Sequence, residues 1–194
     1  MLIRPALVAA ATAALSLLPL SVAQAQTYRH SDPRGDVGSQ PADSTTTDMT
    51  PAPDVKDPDV TRLTVAHRAR KVSVRLRLRD LTRTGQMEGV VIYLRTNEHV
   101  RREVDVVAGP GGWRGQANFS SPRRSLRCKG LAHHLDYDQN VVTVTVPRSC
   151  LSRPRWVQAG VGAVKLTDST AYVDDAQSQT VGNYPVWSPR IRRG

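Results

Sequence analysis

The feature that most constrains the fold is a strict alternation of apolar and polar residues in KVSVRLRLRD, residues 71 to 80. Every second position is apolar, namely Val72, Val74, Leu76 and Leu78, and serine or arginine stands between them. A period of two places successive side chains on opposite faces of a strand, whereas a helix repeats every 3.6 residues. This stretch therefore predicts a half-buried β-strand.

The same alternation recurs along the chain. It is present in residues 60–68, 88–96 and 100–107, and further strands are expected at 113–119, 125–134, 141–146 and 155–166. Residues 147–154 are expected to form a one-turn helix or corner. Seven to nine short strands separated by turn residues favour an all-β fold, an antiparallel β-sandwich of the jelly-roll or Ig-like kind.

The amino terminus has the pattern of a secretory signal peptide. Arg4 precedes a long apolar run, and the small-residue triplet Ala23-Gln24-Ala25 follows it. An uncleaved membrane anchor is the alternative, but Pro5 and Pro19 interrupt the run. We expect residues 1–25 to be removed. The mature chain, 26–194, is then a single secreted, extracellular domain, expected to be monomeric and without a membrane span.

Two cysteines, Cys128 and Cys150, are the only ones in the chain. An even number in a chain bound for an oxidising compartment predicts a disulfide bond. A bridge closing a loop of this length contributes roughly 3 kcal/mol in the chain-entropy model. A zinc site would need supporting cysteine or histidine spacing, which the sequence does not provide.

Charge divides the mature chain into an acidic leader and a basic body. Residues 26–59 hold three basic and seven acidic side chains, a net charge of −4, whereas residues 60–194 have a net charge of +13. The leader alone has the Asp- and Pro-rich composition of a linker, but its charge predicts that it packs on the body or binds cations. We divide the body into core strands at 60–166 and a tail, 167–194, whose aromatic residues predict that it packs back.

The motif DPRGDVG, residues 32 to 38, is the strongest candidate for a functional site. Its proline and glycine favour a tight reversal that could turn the carboxylates of Asp32 and Asp36 inward. Calcium binds six to eight oxygen atoms, so such a loop suits it. Asp59, entering the next strand, could supply another carboxylate. The alternative is a surface turn in which Asp32 caps the backbone.

The D-P-x-G-D motif, the Asp59-Val60 step and the alternating strands resemble carbohydrate-binding-module-9-like and DOMON-like β-sandwiches, and more closely small secreted bacterial proteins of that pattern. The resemblance covers most of residues 31–107 and extends to Pro147–Leu151. It implies a jelly-roll-type sandwich with a structural calcium ion. By position, the ligands would be Asp32, Asp36 and Asp59.

The arginines of residues 71 to 80 have two interpretations. Arg75, Arg77 and Arg79 would form a row on one face, and Glu103 and Asp105 on a neighbouring strand would balance them. The alternative is a surface for an anionic cell-envelope polysaccharide. Nucleic acid is not expected, because neither a reading helix nor aromatic stacking residues accompany the basic row.

The sequence therefore predicts a secreted, non-enzymatic binding or accessory module at the cell envelope, with calcium as its only cofactor. No nucleophile elbow, zinc-protease motif or phosphate-binding loop is present. Two alternatives remain open. One is a secreted hydrolase whose site is assembled from residues distant in sequence, and the other is a purely structural extracellular protein.

Overall fold

The computed structural model describes residues 26–46, 48–179 and 185–194, and the expected signal peptide lies outside them. The described backbone forms two antiparallel β-sheets packed against each other. The prediction of an all-β, antiparallel sandwich is thereby confirmed. Across the described ranges, no helix has the length and apolar content needed to cross a membrane.

Fourteen strands and one short helix make up the described part of the chain. The strands are β1 (Gln26–Ser31), β2 (Gly38–Pro41), β3 (Thr50–Pro51), β4 (Val60–His67), β5 (Lys71–Leu78), β6 (Met87–Thr96), β7 (Arg101–Ala108), β8 (Gln116–Ser121), β9 (Arg124–Ser125), β10 (Ala132–Asp136), β11 (Val141–Pro147), β12 (Trp156–Leu166), β13 (Thr170–Asp175) and β14 (Ile191–Arg192). A 3-10 helix spans Arg148–Leu151.

The first sheet has the strand order β1-β4-β5-β11-β10. The second has the order β3-β2-β13-β12-β6-β7-β8-β9, and β14 lies beside β12. Strand β5 occupies the centre of the first sheet, and its apolar side chains face the second. Val72, Val74 and Leu76 are fully buried, so each stabilises the fold by roughly 1.5 to 3 kcal/mol.

The acidic leader joins the two sheets. Its first strand, β1, pairs with β4 at the edge of the first sheet, and β2 pairs with β13 in the second. Residues 32–37, which we call the crossing segment, run from one sheet to the other. The motif DPRGDVG therefore lies where the leader changes sheets, which a linker-like composition alone did not predict.

Two predicted strands differ from the structure for local reasons. The run expected at 113–119 begins only at Gln116, because two successive turns precede it: Gly112 N–H donates to Gly109 O, and Gly115 N–H donates to Gly112 O, each at 2.9 Å. The run expected at 125–134 is split between β9 and β10. The intervening segment contains Cys128, whose side chain is bonded to a residue outside the strand.

That cysteine forms the predicted disulfide bond. Cys128 is joined to Cys150, and their Cα atoms are 5.7 Å apart. Cys150 lies in the short helix at the expected corner. The bond joins the connection between β9 and β10 to the connection between β11 and β12. Each of these connections runs between the two sheets.

The tail packs on β12. Ala159 N–H donates to Ser188 Oγ at 3.0 Å, and the buried Ile191 pairs with Val157. A Cβ added at Gly160 would lie 2.5 Å from the Pro185 side chain, so the close approach of the tail requires glycine at this position.

Candidate metal centre

The crossing segment is held by a glycine and by a buried carboxylate. Gly35 has φ +81°, a conformation that other residues rarely adopt, and a Cβ there would lie 3.1 Å from Pro53 O. Its N–H donates to Asp59 Oδ2 at 2.7 Å. The turn between Asp32 and Asp36 is thus fixed from both sides.

Three carboxylates converge at this turn, and we call them the aspartate cluster: Asp32, Asp36 and Asp174. One oxygen of each lies within 4.8 Å of the others. The first two belong to the crossing segment, and Asp174 lies near the end of β13. The cluster therefore joins the leader to the second sheet.

Two members of the cluster lack hydrogen-bond donors in the described part of the chain. The side chain of Asp32 has no exposed area, and neither of its oxygens, nor those of Asp36, accepts a hydrogen bond within the described ranges. The ring of His30 lies near Asp32, with Nε2 3.6 Å from Oδ1, which is beyond hydrogen-bond distance. Buried oxygens without donors are costly unless a proton or a cation satisfies them.

The third member is partly satisfied. Asp174 Oδ2 accepts a hydrogen bond from Val60 N–H at 2.6 Å. This bond orients the carboxylate toward the start of β4, and it lowers the pKa of Asp174 against the larger, opposite effect of burial. The cluster thus connects the crossing segment, β13 and the entry of β4.

Burial and repulsion from neighbouring carboxylates raise the pKa of all three carboxyl groups above its usual value. Burial first, and then the negative charges of Asp174 and other aspartates, raise the pKa of Asp32 to about 9. Burial, and then Asp36 and other aspartates, raise the pKa of Asp174 to about 8. Burial also raises the pKa of Asp36. Without another cation Asp32 and Asp174 retain protons near neutral pH; a divalent cation would replace those protons.

The donor set suits a hard cation. Calcium binds carboxylate oxygens at 2.3–2.6 Å, so oxygens on opposite sides of the ion are separated by up to about 5 Å. The separations in the aspartate cluster are compatible with that range. Three carboxylates would leave positions for backbone carbonyls and water. Zinc prefers nitrogen and sulfur ligands, and the cluster consists of oxygen donors.

The sequence-predicted ligand set is therefore only partly brought together. Asp32 and Asp36 meet as expected, but Asp59 Oδ2 is used by Gly35 N–H and by Arg79 Nη1, the latter at 2.7 Å. Asp59 adds charge near the cluster while its own charge is balanced. Asp174 was missed; the sequence signal was the Asp174-Asp175 pair, whose position beside the crossing segment depends on long-range strand pairing.

A second group of buried acids lies in the same fold, and we call it the lysine cluster: Asp57, Glu88 and Lys165. Lys165 Nζ donates to Asp57 Oδ2 at 2.7 Å and lies 3.3 Å from Glu88 Oε2. It also donates to the hydroxyl groups of Thr82 and Thr84. Burial, and then the neighbouring Asp57, raise the pKa of Glu88 to about 9. The protonated Glu88 leaves one negative charge for one lysine.

The arginine row does not have the neighbours expected from the sequence. Glu103 and Asp105 lie on β7 in the second sheet, so they cannot balance β5. The expectation failed because alternation does not identify a strand's partners. Arg75 instead lies opposite Thr64 and Thr143, and Arg77 lies opposite Arg62 and Val141.

The three arginines also differ among themselves. Arg75 and Arg77 are exposed on the outer face of the first sheet. Arg79 follows β5 and forms an ion pair with the buried Asp59. It is therefore part of the support of the crossing segment, whereas the first two arginines remain available at the surface.

Comparison of the chain with protein-family models, with curated proteins and with solved structures finds no match. The resemblance to carbohydrate-binding-module-9-like and DOMON-like sandwiches therefore stays a prediction from short motifs.

Proposed function

We propose that the protein is a secreted, non-enzymatic binding or accessory module of the cell envelope, whose leader is fixed between the two sheets by a calcium ion. The aspartate cluster supports this proposal. Asp32 is buried with both oxygens unpaired in the described part of the chain, and it faces two further carboxylates where the leader changes sheets. A structural cation would compensate these charges.

A structural role fits this site better than a catalytic one. The side chain of Asp32 has no exposed area, and Asp174 is only 3% exposed. A substrate would need access to the metal, whereas a structural ion needs enclosure and enough oxygen ligands. An ion here would link β1, β2 and β13 through their adjoining segments.

Secretion is supported by two independent features. The first 25 residues have the pattern of a cleaved signal peptide, and the two cysteines form a disulfide bond. Disulfide bonds persist in oxidising compartments and are rare in the cytosol. Extracellular fluid also supplies calcium for the site proposed here.

The outer face of the first sheet provides a surface for anionic polymers. Arg62 and Arg77 lie opposite each other on β4 and β5, and Arg75 is adjacent along β5. All three are exposed. Uncompensated positive charge on a strand face favours a polyanion, and such attraction weakens with salt.

Calcium-dependent stability tests the metal site. Thermal unfolding of residues 26–194 should be measured in calcium and in a chelator. At a calcium concentration of about 100 times Kd, binding stabilises the fold by about 2.7 kcal/mol, or about 5 to 10 °C in a domain of this size. Asp36→Asn should abolish the difference, whereas the exposed leader control Asp43→Asn should retain it.

An unchanged melting temperature in calcium would overturn the metal site. An equal loss of the calcium effect in Asp43→Asn would also contradict it, because the effect would then reflect the general charge of the leader. Magnesium provides a further comparison, since it prefers a rigid octahedral site and retains its water.

Retention on a sulfated or phosphorylated polymer column tests the binding surface. The double variant Arg75→Glu and Arg77→Glu should elute at a lower salt concentration than the unchanged protein. The control variant, Arg123→Glu and Arg124→Glu, makes the same change in charge at exposed positions of the β8–β9 hairpin. Equal effects of the two variants would mean that net charge, and not this face, governs retention.

A further inference from the structure

A basic cleft beside the lysine cluster is lined by no residue of the aspartate cluster and by none of Arg62, Arg75 and Arg77. It has a volume of about 840 Å³, which is in the range of ligand sites. Two loops and strand β10 form it, and its principal side chains are Arg83, Trp113, Arg114, His133, His134 and Tyr137. Among the described residues that line it, none is acidic.

One cationic group of the cleft, Arg83, is held in place by the surrounding structure. Arg83 Cζ lies 4.5 Å from the centre of the Tyr137 ring, so the guanidinium stacks on the aromatic face. Tyr137 Oη in turn donates to Trp113 O at 2.8 Å, and the two rings meet edge to face. The position of Arg83 is therefore fixed before a ligand arrives, which lowers the entropic cost of binding.

The loop that bears Arg83 is anchored on both sides. Thr82 and Thr84 accept hydrogen bonds from Lys165 Nζ at 2.6 and 3.0 Å. Because Lys165 is balanced by Asp57 and Glu88 is protonated near neutral pH, the lysine cluster adds no net charge beneath the cleft. The lysine cluster thus does not cancel the positive charge of Arg83.

The opposite wall leaves space for a ligand. Gly111 and Gly112 line the cleft, and a Cβ at either position would meet no atom within 4 Å. On the floor, His133 Nε2 is within hydrogen-bond distance of Arg114 O, at 3.2 Å. The backbone that bears Arg114 is therefore tied to β10, while the space in front of the glycines remains open.

We propose that this cleft binds a phosphate or sulfate ester, with the oxyanion held by Arg83 and Arg114 and the organic part of the ligand lying in the space beside Gly111 and Gly112. Guanidinium groups suit tetrahedral oxyanions because they donate two parallel hydrogen bonds to them. The cleft is several times larger than an oxyanion, which favours an esterified ligand over the free ion. This proposal uses neither the aspartate cluster nor the outer face of the first sheet, so it stands independently of the function proposed above.

Calorimetric titration of residues 26–194 with glucose 6-phosphate, glucose 6-sulfate, inorganic phosphate and glucose tests the proposal. Saturable binding of at least one ester, tighter than inorganic phosphate and absent for glucose, is the expected result. Comparison of the two esters identifies which oxyanion is preferred. Binding of inorganic phosphate alone, or of no ligand, would overturn the assignment.

Three variants locate the site. Arg83→Gln should weaken ester binding about tenfold or more, as expected for loss of a charged hydrogen bond, and Gly112→Leu should block the cleft from a position where its Cβ meets no neighbour. Arg123→Gln, an exposed arginine outside the cleft, should leave affinity unchanged. Equal weakening by Arg123→Gln would mean non-specific attraction and would contradict the proposal.

Two further measurements make the result decisive. Urea unfolding of each variant separates a loss of ligand binding from a loss of the fold. If Gly112→Leu does not fold, Arg83→Gln is combined with mapping of the amide chemical-shift changes that the ester causes. Shift changes confined to residues outside the cleft would overturn the site. Glucuronate is the final comparison. If this carboxylate binds as tightly as the esters, the assignment to phosphate or sulfate is wrong.

Discussion

The aspartate cluster and the lysine cluster solve the same electrostatic problem in different ways. Both enclose carboxylates in which burial raises the pKa, to about 9 for Asp32 in the first and to about 9 for Glu88 in the second. The lysine cluster contains its own cation, and Lys165 contacts two carboxyl and two hydroxyl groups. The aspartate cluster has no such cation within it, so its charge balance depends on the solvent.

Asp59 is intermediate between the two clusters in the way its charge is balanced. It lies near the aspartate cluster, yet its charge is balanced by Arg79 at 2.7 Å. The leader therefore supplies three kinds of buried carboxylate: Asp57 paired with lysine, Asp59 paired with arginine, and Asp32 with no hydrogen-bond donor in the described structure. Only the last kind leaves a position for an external ion.

Removing the internal cation should have the largest effect. Lys165→Met would leave the charge of the buried Asp57 without its cation, and breaking a buried ion pair costs about 3 to 5 kcal/mol. Urea unfolding would measure this loss, which calcium should not restore. Adding Asp57→Asn to Lys165→Met should recover much of the stability; a loss below about 1 kcal/mol in the single variant would show that the two clusters do not differ as described.

Removing a charged group from the aspartate cluster should instead stabilise the fold when calcium is absent. In a chelator, Asp32→Asn should be more stable than the unchanged protein, because a neutral amide replaces a buried acid surrounded by like charges. In calcium it should be less stable, because the increment of about 2.7 kcal/mol at 100 times Kd is lost. Chemical denaturation under both conditions checks the reversal, and the same sign in both would argue against a cation site.

The pH dependence should separate the clusters further. In the folded protein the pKa of Asp32 is raised above its unfolded value, so its stabilising proton is retained at low pH and lost as pH rises toward about 9. In a chelator, the free energy of unfolding should therefore fall from pH 5 to 9, by at most about 1.4 kcal/mol per pH unit for each such carboxyl.

Calcium should remove only part of that slope. The ion replaces the proton of Asp32, whereas the proton of Glu88 belongs to the lysine cluster and is lost over the same range in either condition. Adding Glu88→Gln should flatten the remaining dependence. A slope in the unchanged protein that calcium leaves unaltered would indicate that Asp32 does not bind the ion.

The smallest effects should be those of the arginines. Arg79→Gln should destabilise the fold by about 1 kcal/mol, because its charged hydrogen bond to buried Asp59 is lost, although partial exposure weakens the pair. Arg77→Gln, at an exposed position, should change stability by less than about 0.5 kcal/mol. Urea midpoints provide the comparison, and equal losses would mean that Arg79 does not support the crossing segment.

Local periodicity explains what could be predicted from the sequence. The alternation in residues 71–80 predicted both the strand and its buried face, because side-chain direction along a strand depends on the local backbone alone. The motif DPRGDVG similarly predicted that Asp32 and Asp36 would meet, since proline and glycine restrict the turn between them. Both inferences needed only neighbouring residues.

The remaining features depend on which strands pair. Asp174 reaches the crossing segment because β13 pairs with β2, and Lys165 reaches Glu88 because β12 pairs with β6 at that register. Alternation is the same whichever strand lies alongside, and for this reason Glu103 and Asp105 were wrongly placed beside β5. The ion pairs among the buried groups therefore could not be predicted from the alternation within single strands.

The crossing of the leader between sheets has a consequence for the order of folding. Residues 26–41 are synthesised early, but β1 needs β4, and β2 needs β13 near the carboxyl end of the chain. Pairings so distant in sequence form slowly, because the intervening chain must first be ordered. The part of the leader that forms β2 must therefore dock late, and the aspartate cluster is assembled only after β13 has emerged.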